Sequence, residues 1–150
     1  MPPKIVITGA ECTGKTTYAK QLAIALNGIY VPEYARLFVE KKQRAVAAQD
    51  VFDIAAGQWR QQQHFHWAQR PVIFDTDLLN TLVYSEYYFG LSPKSIITRW
   101  ELSRHHYRYI LCENSIPWQE EAQQRSTQQA QQIMQTMLLS QFSNAGIDCL

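Results

Sequence analysis

The sequence predicts an α/β domain with a doubly wound parallel sheet of five strands and helices on both faces. Residues 9–16, GAECTGKT, match the phosphate-binding pattern G-x-x-x-x-G-K-[ST]. This motif lies between a short β-branched run and a segment whose apolar residues have the spacing of one helix face. Beyond it, short apolar runs alternate with longer helical patterns, as in sheets joined by crossover helices. Together these observations predict a P-loop NTPase fold.

The predicted strands are short runs of β-branched and apolar residues, which suit strands buried on both faces. They are residues 4–8, 29–31, 72–74, 107–112 and 147–150. The second is followed by Pro32 and the third by Asp75. The chain stops within the fifth, where a covering helix normally follows, so we expect a product shortened at its C-terminus.

Helical patterns fill the segments between these strands. They are residues 17–27, 33–42, 50–69, 78–89, 93–105 and 119–142. Stop signals follow several of them, at Asn27-Gly28, Arg70-Pro71 and Gly90. The last helix is predicted to pack through Ile133, Met137, Leu138 and Phe142.

Composition indicates one intracellular domain over residues 1–150. With 14 basic and 13 acidic residues, the net charge is +1. The protein therefore has no overall electrostatic field that would attract nucleic acid or an anionic membrane, and any anion must bind at a local site. Three cysteines without C-x-x-C spacing argue against a disulfide framework and a zinc site and favour a cytoplasmic location. We expect a nucleotide and a small molecule as partners. No signal indicates the oligomeric state.

The phosphate-binding motif carries the clearest functional prediction. Backbone N–H groups of such a loop, with the helix N-terminus behind them, bind the phosphates of a nucleotide. Lys15, expected to be exposed, would reach the β- and γ-phosphates and act in catalysis, and the Thr16 hydroxyl would coordinate Mg²⁺. ATP and Mg²⁺ are therefore the predicted cofactors. The predicted nucleotide-binding residues are Gly9, Glu11, Cys12, Thr13, Gly14, Lys15, Thr16 and Thr17.

Two carboxylates at predicted strand ends are candidates for metal binding and proton transfer. Asp75 would hold Mg²⁺ or accept the proton of an acceptor hydroxyl. Its alternative role is a helix N-cap, which Asp77 could also fill. Glu33 is the second candidate base, and its alternative is a first-turn glutamate that interacts with the helix dipole.

An acceptor site is predicted beside the phosphate loop, because the carboxyl ends of parallel strands meet at one edge of a sheet. Its predicted residues are Glu33, Tyr34, Arg36 and Asp77, with Glu11 hydrogen-bonding a substrate hydroxyl. So many carboxylates suit a neutral or cationic nucleoside and disfavour an acceptor that already carries phosphate.

The segment before the last predicted helix has the composition of a kinase lid. It contains Trp118, Glu120, Glu121 and Arg125. An arginine that closes over the γ-phosphate stabilises the charge of transfer, and Arg125 is the predicted catalytic arginine. The alternative is a surface arginine paired along the helix with Glu121.

Five features in order resemble the nicotinamide riboside kinase domain of NadR-type proteins, a branch of the P-loop kinases within the AAA-like ATPases. They are G-x-E-x-x-G-K-T at residues 9–16, P-E-Y-A-R at 32–36, F-D-T-D at 74–77, I-P-W at 116–118 and the acidic-to-arginine segment ending at Arg125. The resemblance implies ATP-dependent phosphorylation of nicotinamide riboside to nicotinamide mononucleotide. Open alternatives are a kinase for another nucleoside or small metabolite and a regulatory ATP-binding module.

Overall fold

Four parallel strands form the sheet of the computed structural model, which describes residues 1–113 and 127–150. The strands are β1 (Lys4–Thr8), β2 (Ile29–Val31), β3 (Val72–Asp75) and β4 (Arg108–Leu111), in the order β2-β3-β1-β4. β1 and β3 are buried along their whole length, which explains their continuous apolar sequences. The predicted parallel sheet is confirmed.

The strand register brings the chain segments that follow β1, β2 and β3 to one edge of the sheet. Ile7 of β1 lies opposite Asp75 of β3, and Val31 of β2 lies opposite Phe74. On the other side of β1, Thr8 lies opposite Leu111 of β4. This edge therefore collects the phosphate-binding motif and the two acidic segments.

The predicted fifth strand is wrong as a regular element, because the structure assigns no strand to residues 147–150. The last helix continues to Ala145 and ends at Gly146 in a left-handed conformation, which leaves few residues for pairing. Leu150 nevertheless donates its N–H to the Tyr109 carbonyl at 3.1 Å and accepts from the Leu111 N–H at 3.1 Å. One parallel pairing step thus lies beside β4, where the fifth strand was expected.

Helices cover both faces of the sheet, as predicted. They are α1 (Lys15–Ala25), α2 (Tyr34–Lys42), α3 (Val51–His64), α4 (Leu78–Phe89), α5 (Lys94–Ser103) and α6 (Gln128–Ala145), with 3₁₀ turns at Ala48–Asp50 and Arg104–His106. α1 packs through Ala19 and Ala23 on one face of the sheet. Helices α3 to α6 contribute to the larger core on the other face, around Phe74. No helix in the described ranges has the length and apolar character needed to cross a membrane.

The apolar side of α6 differs from the predicted one. Its buried apolar residues are Ala130, Met134, Leu138 and Phe142. This strict four-residue spacing turns Ile133, which is 39% exposed, toward solvent. The start predicted at residue 119 lies outside the described residues.

A close contact between α2 and α3 leads to a stability prediction. A Cβ atom added at Gly57 would overlap the ring of Tyr34. Alanine improves helix propensity by about 1 kcal/mol, but overpacking costs about 1–3 kcal/mol. We expect Gly57→Ala to lower the free energy of unfolding by about 1 kcal/mol in urea titrations. Arg60→Ala, at an exposed position of α3, is the control, and a Gly57→Ala protein more stable than wild type would contradict the contact.

Candidate active site

A cavity of about 210 Å³ opens at the edge where β1, β2 and β3 end. Its polar lining includes Glu11 and Lys15 of the phosphate loop and Glu33, Arg36 and Asn80 from the helices around it. Its apolar lining comes from Val39, Val46, Val51, Ile54, Val83, Tyr84, Met134 and Leu138. The cavity therefore suits a ligand with polar groups near Lys15 and an apolar or aromatic portion.

The phosphate loop adopts the backbone conformation that anion binding requires. Gly9, Cys12 and Gly14 have φ angles of 143°, 58° and 80°, and such left-handed positions turn successive N–H groups toward one point. A Cβ at Gly9 would lie 2.8 Å from the Cys112 carbonyl oxygen and 2.9 Å from Thr13 Oγ1. Glycine is therefore required at the first position of the loop.

Lys15 is buried, so the expectation that it is exposed is wrong. Its side chain is 8% exposed, and its ammonium group donates a hydrogen bond to the Ala10 carbonyl at 3.0 Å. The Thr13 hydroxyl donates to the same carbonyl at 2.7 Å. The ammonium group is thus held against the loop and lines the cavity.

Asp75 and Thr16 place two side-chain oxygen atoms next to each other at the end of β3 and the start of α1. The Thr16 hydroxyl donates to Asp75 Oδ2 at 2.6 Å, and the Tyr30 hydroxyl lies 3.3 Å from the same atom. Asp75 Oδ1 is buried and has no hydrogen-bond partner among residues 1–113 and 127–150. A carboxylate oxygen without a partner beside a hydroxyl fits a hard cation. Burial and the charge of Asp75 raise the pKa of Tyr30 to about 12, so its hydroxyl remains a donor.

The alternative role of helix cap falls to Asp77 and not to Asp75. Asp77 precedes α4, and its carboxylate accepts a hydrogen bond from the Leu79 N–H at 3.0 Å. Its other oxygen accepts from the Tyr109 hydroxyl at 2.7 Å, and the residue is 1% exposed. Burial raises the pKa of Asp77 to about 6. Asp75 is therefore free of the capping role that the sequence left open.

Glu33 lies at the N-cap of α2, but its side chain makes no capping hydrogen bond. Desolvation raises the pKa of Glu33 to about 7. The positive charge of Lys15 opposes this shift, whereas the negative charges of Asp75 and Glu11 add to it. Glu33 can therefore exchange a proton near neutral pH, and it lies within electrostatic reach of Lys15 in the phosphate loop.

The structure gathers several predicted site residues and leaves out others. Glu11, Lys15, Glu33 and Arg36 line the same cavity. Tyr34 and Asp77 do not line it, and neither do Thr16 and Asp75, whose side chains are hydrogen-bonded to each other. The Tyr34 ring packs against Gly57, and the Asp77 carboxylate is occupied by hydrogen bonds from the Leu79 N–H and the Tyr109 hydroxyl. Neither side chain therefore lies in the cavity, where the acceptor site was predicted. Arg125 and the rest of the predicted lid lie outside the described residues.

Four polar residues at the site were missed by sequence reasoning. They are Gln58, Asn80, Gln131 and Gln135, and all four are bonded to backbone groups at the carboxyl edge of the sheet. The glutamines are at most 6% exposed. Glutamine is common on solvated helix faces, and only the helical spacing from buried neighbours such as Met134 could have indicated burial.

Comparisons with known proteins agree with this architecture. A family described as "AAA domain" matches residues 4–150. A crystal structure of NadR protein in complex with NR matches with a TM-score of 0.69 and 22% identity, covering 97% of this chain and 44% of that chain. A crystal structure of NadR protein in complex with NAD and AMP-PNP matches with the same TM-score and identity, covering 97% and 42%.

The chain thus spans less than half the length of these NadR chains. No curated protein matches it in sequence. At 22% identity the structural matches establish the fold, which is the predicted P-loop NTPase fold. The family match covers nearly the whole sequence, and the chain belongs to the AAA domain family.

Proposed function

We propose that this protein is an ATP-dependent nucleoside kinase that phosphorylates a ribosyl hydroxyl, with nicotinamide riboside as acceptor and nicotinamide mononucleotide as product. One observation carries the proposal: Lys15 of the phosphate loop and the carboxylate of Glu33 line a single cavity. In the reaction the acceptor oxygen bonds to the γ-phosphorus, the bond from that phosphorus to the β–γ bridging oxygen breaks, and ADP leaves. The hydroxyl proton passes to Glu33.

The donor side of the site is assigned to the phosphate loop. Its N–H groups and Lys15 bind the β- and γ-phosphates. Thr16 and Asp75 would hold Mg²⁺, which would neutralise charge on those phosphates. Arg125 keeps its predicted role as the arginine that approaches the γ-phosphate.

The acceptor side is assigned to the carboxylates and the apolar walls. Glu11 lines the cavity, and its buried Oε2 has no hydrogen-bond partner in the described parts of the chain. This atom can accept a hydrogen bond from a ribose hydroxyl. The apolar lining receives the ring, and the carboxylates favour a ring that is cationic. A phosphorylated acceptor would bring a second anion close to Glu11 and Glu33.

The comparisons support the acceptor only indirectly, since one NadR structure holds NR and the other holds NAD and AMP-PNP. The five sequence features shared with the NadR-type kinase domain support the same acceptor. A role in NAD biosynthesis in the cytoplasm belongs to this proposal.

The proposal is tested by calorimetric titration of nicotinamide riboside and of its 5′-phosphate into the protein saturated with a non-hydrolysable ATP analogue and Mg²⁺. We expect the nucleoside to bind more tightly. Tighter binding of the 5′-phosphate would contradict the acceptor site. A panel of other nucleosides in the same titration decides between nicotinamide riboside and another acceptor.

Asp75→Asn should lower turnover by about tenfold to a hundredfold while weakening nucleotide binding much less. Asparagine preserves the shape of the side chain but is a poor ligand for Mg²⁺ or its water. The measurements are steady-state turnover and the Kd of ATP with and without Mg²⁺. Asp53→Asn, at an exposed position of α3, controls for the lost charge. Normal turnover with an unchanged Mg²⁺ requirement would remove Asp75 from the metal site.

A further inference from the structure

Three side-chain amides connect neighbouring segments at the carboxyl edge of the sheet. We call Gln58, Asn80 and Gln135 the bridging amides. They come from three different helices, α3, α4 and α6. Each uses its oxygen as an acceptor and its nitrogen as a donor toward the chain segments that form the site.

Gln135 connects the phosphate loop to the end of β4. Its Oε1 accepts from the Ala10 N–H at 2.7 Å, and its Nε2 donates to the Cys112 carbonyl at 2.7 Å. One turn earlier, Gln131 donates to the Glu11 carbonyl at 2.7 Å. Two buried glutamines on one side of α6 thus determine the path of the first half of the loop.

Gln58 connects the segment after β2 to the segment after β3. Its Oε1 accepts from the Tyr34 N–H at 3.3 Å, and its Nε2 donates to the Thr76 carbonyl at 3.1 Å. Thr76 has a φ of 68°, which is unfavourable for a β-branched residue. This bond therefore holds a strained residue next to Asp75 and ties it to the turn that carries Glu33.

Asn80 connects α4, the helix that follows β3, to the end of β1. Its Nδ2 donates to the Gly9 carbonyl at 3.0 Å, and its Oδ1 accepts from the Thr8 hydroxyl at 2.7 Å. The order of strands is β2-β3-β1-β4. Gln58 accordingly spans the gap between the ends of β2 and β3, and Gln135 spans the gap between the ends of β1 and β4. Asn80 lies on the helix that follows β3 and binds the end of β1 with both atoms of its amide.

The chemistry explains why amides occupy these positions. A buried backbone N–H or carbonyl without a partner costs about 1–3 kcal/mol. Gln58 and Gln135 each satisfy one backbone N–H and one carbonyl with a single side chain. A carboxylate in their place would only accept and would add negative charge beside bound phosphates. An apolar residue of the same length satisfies neither.

We propose that the bridging amides are positioning residues which divide the site into two independently held halves. Gln135 and Asn80 hold the phosphate loop for the nucleotide, and Gln58 holds the turn that carries Glu33 for the acceptor. The assignment of one half to the nucleotide and the other to the acceptor rests on the proposed function, whereas the hydrogen bonds themselves are independent of it. Loss of one amide should loosen its own half and leave the other in place.

The first test needs no ligand and follows amide hydrogen exchange by NMR in the full chain. Gln135→Met should speed exchange at Ala10 by about tenfold or more and leave Tyr34 unchanged, since methionine fills the space but accepts no hydrogen bond. Gln58→Met should do the reverse. Gln135→Glu retains the acceptor oxygen and should restore protection at Ala10. Gln132→Met, at an exposed position of α6, should change neither.

The second test measures the Kd of ATP with Mg²⁺ by calorimetry. Gln135→Met should weaken ATP binding about tenfold, because only the fraction of molecules whose phosphate loop has the competent conformation binds the nucleotide. Gln58→Met does not loosen this loop, so it should leave the Kd of ATP within about twofold of wild type. The proposal would be overturned if Gln135→Met and Gln58→Met each accelerated amide exchange equally at Ala10 and at Tyr34. It would also be overturned if both variants showed the exchange rates of the wild-type protein. Wild-type protein that binds no ATP would refute the proposed function, and the exchange experiment would still decide the positioning roles.

Discussion

Lys15→Met should weaken binding of ATP with Mg²⁺ by about a hundredfold and lower turnover by about 10²- to 10³-fold. A hydrogen bond to a charged group contributes about 1.5–3 kcal/mol, and loss of a preorganised donor at the reacting group costs a similar factor in rate. The ammonium group already lies in the loop, bonded to the Ala10 carbonyl. Calorimetry and ADP-release kinetics measure the two effects.

Lys41→Met serves as the matched control because it removes the same charge from an exposed position of α2. Since Lys15 is buried, circular dichroism must first show that the Lys15→Met protein is folded. A folded variant with wild-type nucleotide affinity and turnover would disprove phosphate binding by this loop.

Glu33→Gln should lower turnover by about 10²- to 10⁴-fold, the range that general-base catalysis provides. Glutamine has nearly the same shape but cannot accept the proton of the acceptor hydroxyl. Because the pKa of Glu33 is raised to about 7, the base is ionised only above that pH. Wild-type turnover should therefore rise with pH through about 7 and then level off, and the variant should lose this dependence.

The same substitution should affect stability in a pH-dependent way. The folded-state pKa of Glu33 lies above its ordinary value of 4.5, so the folded protein binds more protons between pH 4.5 and pH 7. The contribution of Glu33 to the free energy of unfolding is therefore complete below pH 4.5, and it is lost as the pH rises through about 7. We expect Glu33→Gln to be more stable than wild type at pH 8 and nearly equal at pH 4. Glu86→Gln, at an exposed position of α4, is the control for both readouts, and a variant with wild-type turnover would assign the base elsewhere.

The sequence predicted the phosphate loop and its surroundings because local chemistry dictates them. Glycines at positions that need a left-handed backbone, Lys15 and a following helix are visible in one short segment. The buried strands were equally visible, since burial on both faces makes them continuously apolar. Because parallel strand ends meet at one edge, the sequence also predicted that Glu33 and Asp75 lie near each other, and the charge of Asp75 does act on Glu33.

What the sequence could not predict depends on contacts between distant segments. Tyr34 packs on Gly57 and Asp77 binds Tyr109, so two residues expected at the acceptor site serve the fold instead. The burial of Lys15 depends on a carbonyl oxygen whose position only the folded loop defines. A single glutamine such as Gln135 gives no local signal that its amide reaches a loop more than a hundred residues earlier.

We propose that this chain transfers a phosphoryl group from ATP to a nucleoside hydroxyl. The most direct measurement is ADP release by the purified chain with Mg²⁺ and ATP, with and without nicotinamide riboside, combined with mass spectrometry of the acceptor. We expect ADP release that depends on the acceptor, loss of that release in Lys15→Met, and a product heavier by one phosphoryl group. ATP binding without acceptor-dependent ADP release for any nucleoside tested would contradict the claim and favour a regulatory ATP-binding module.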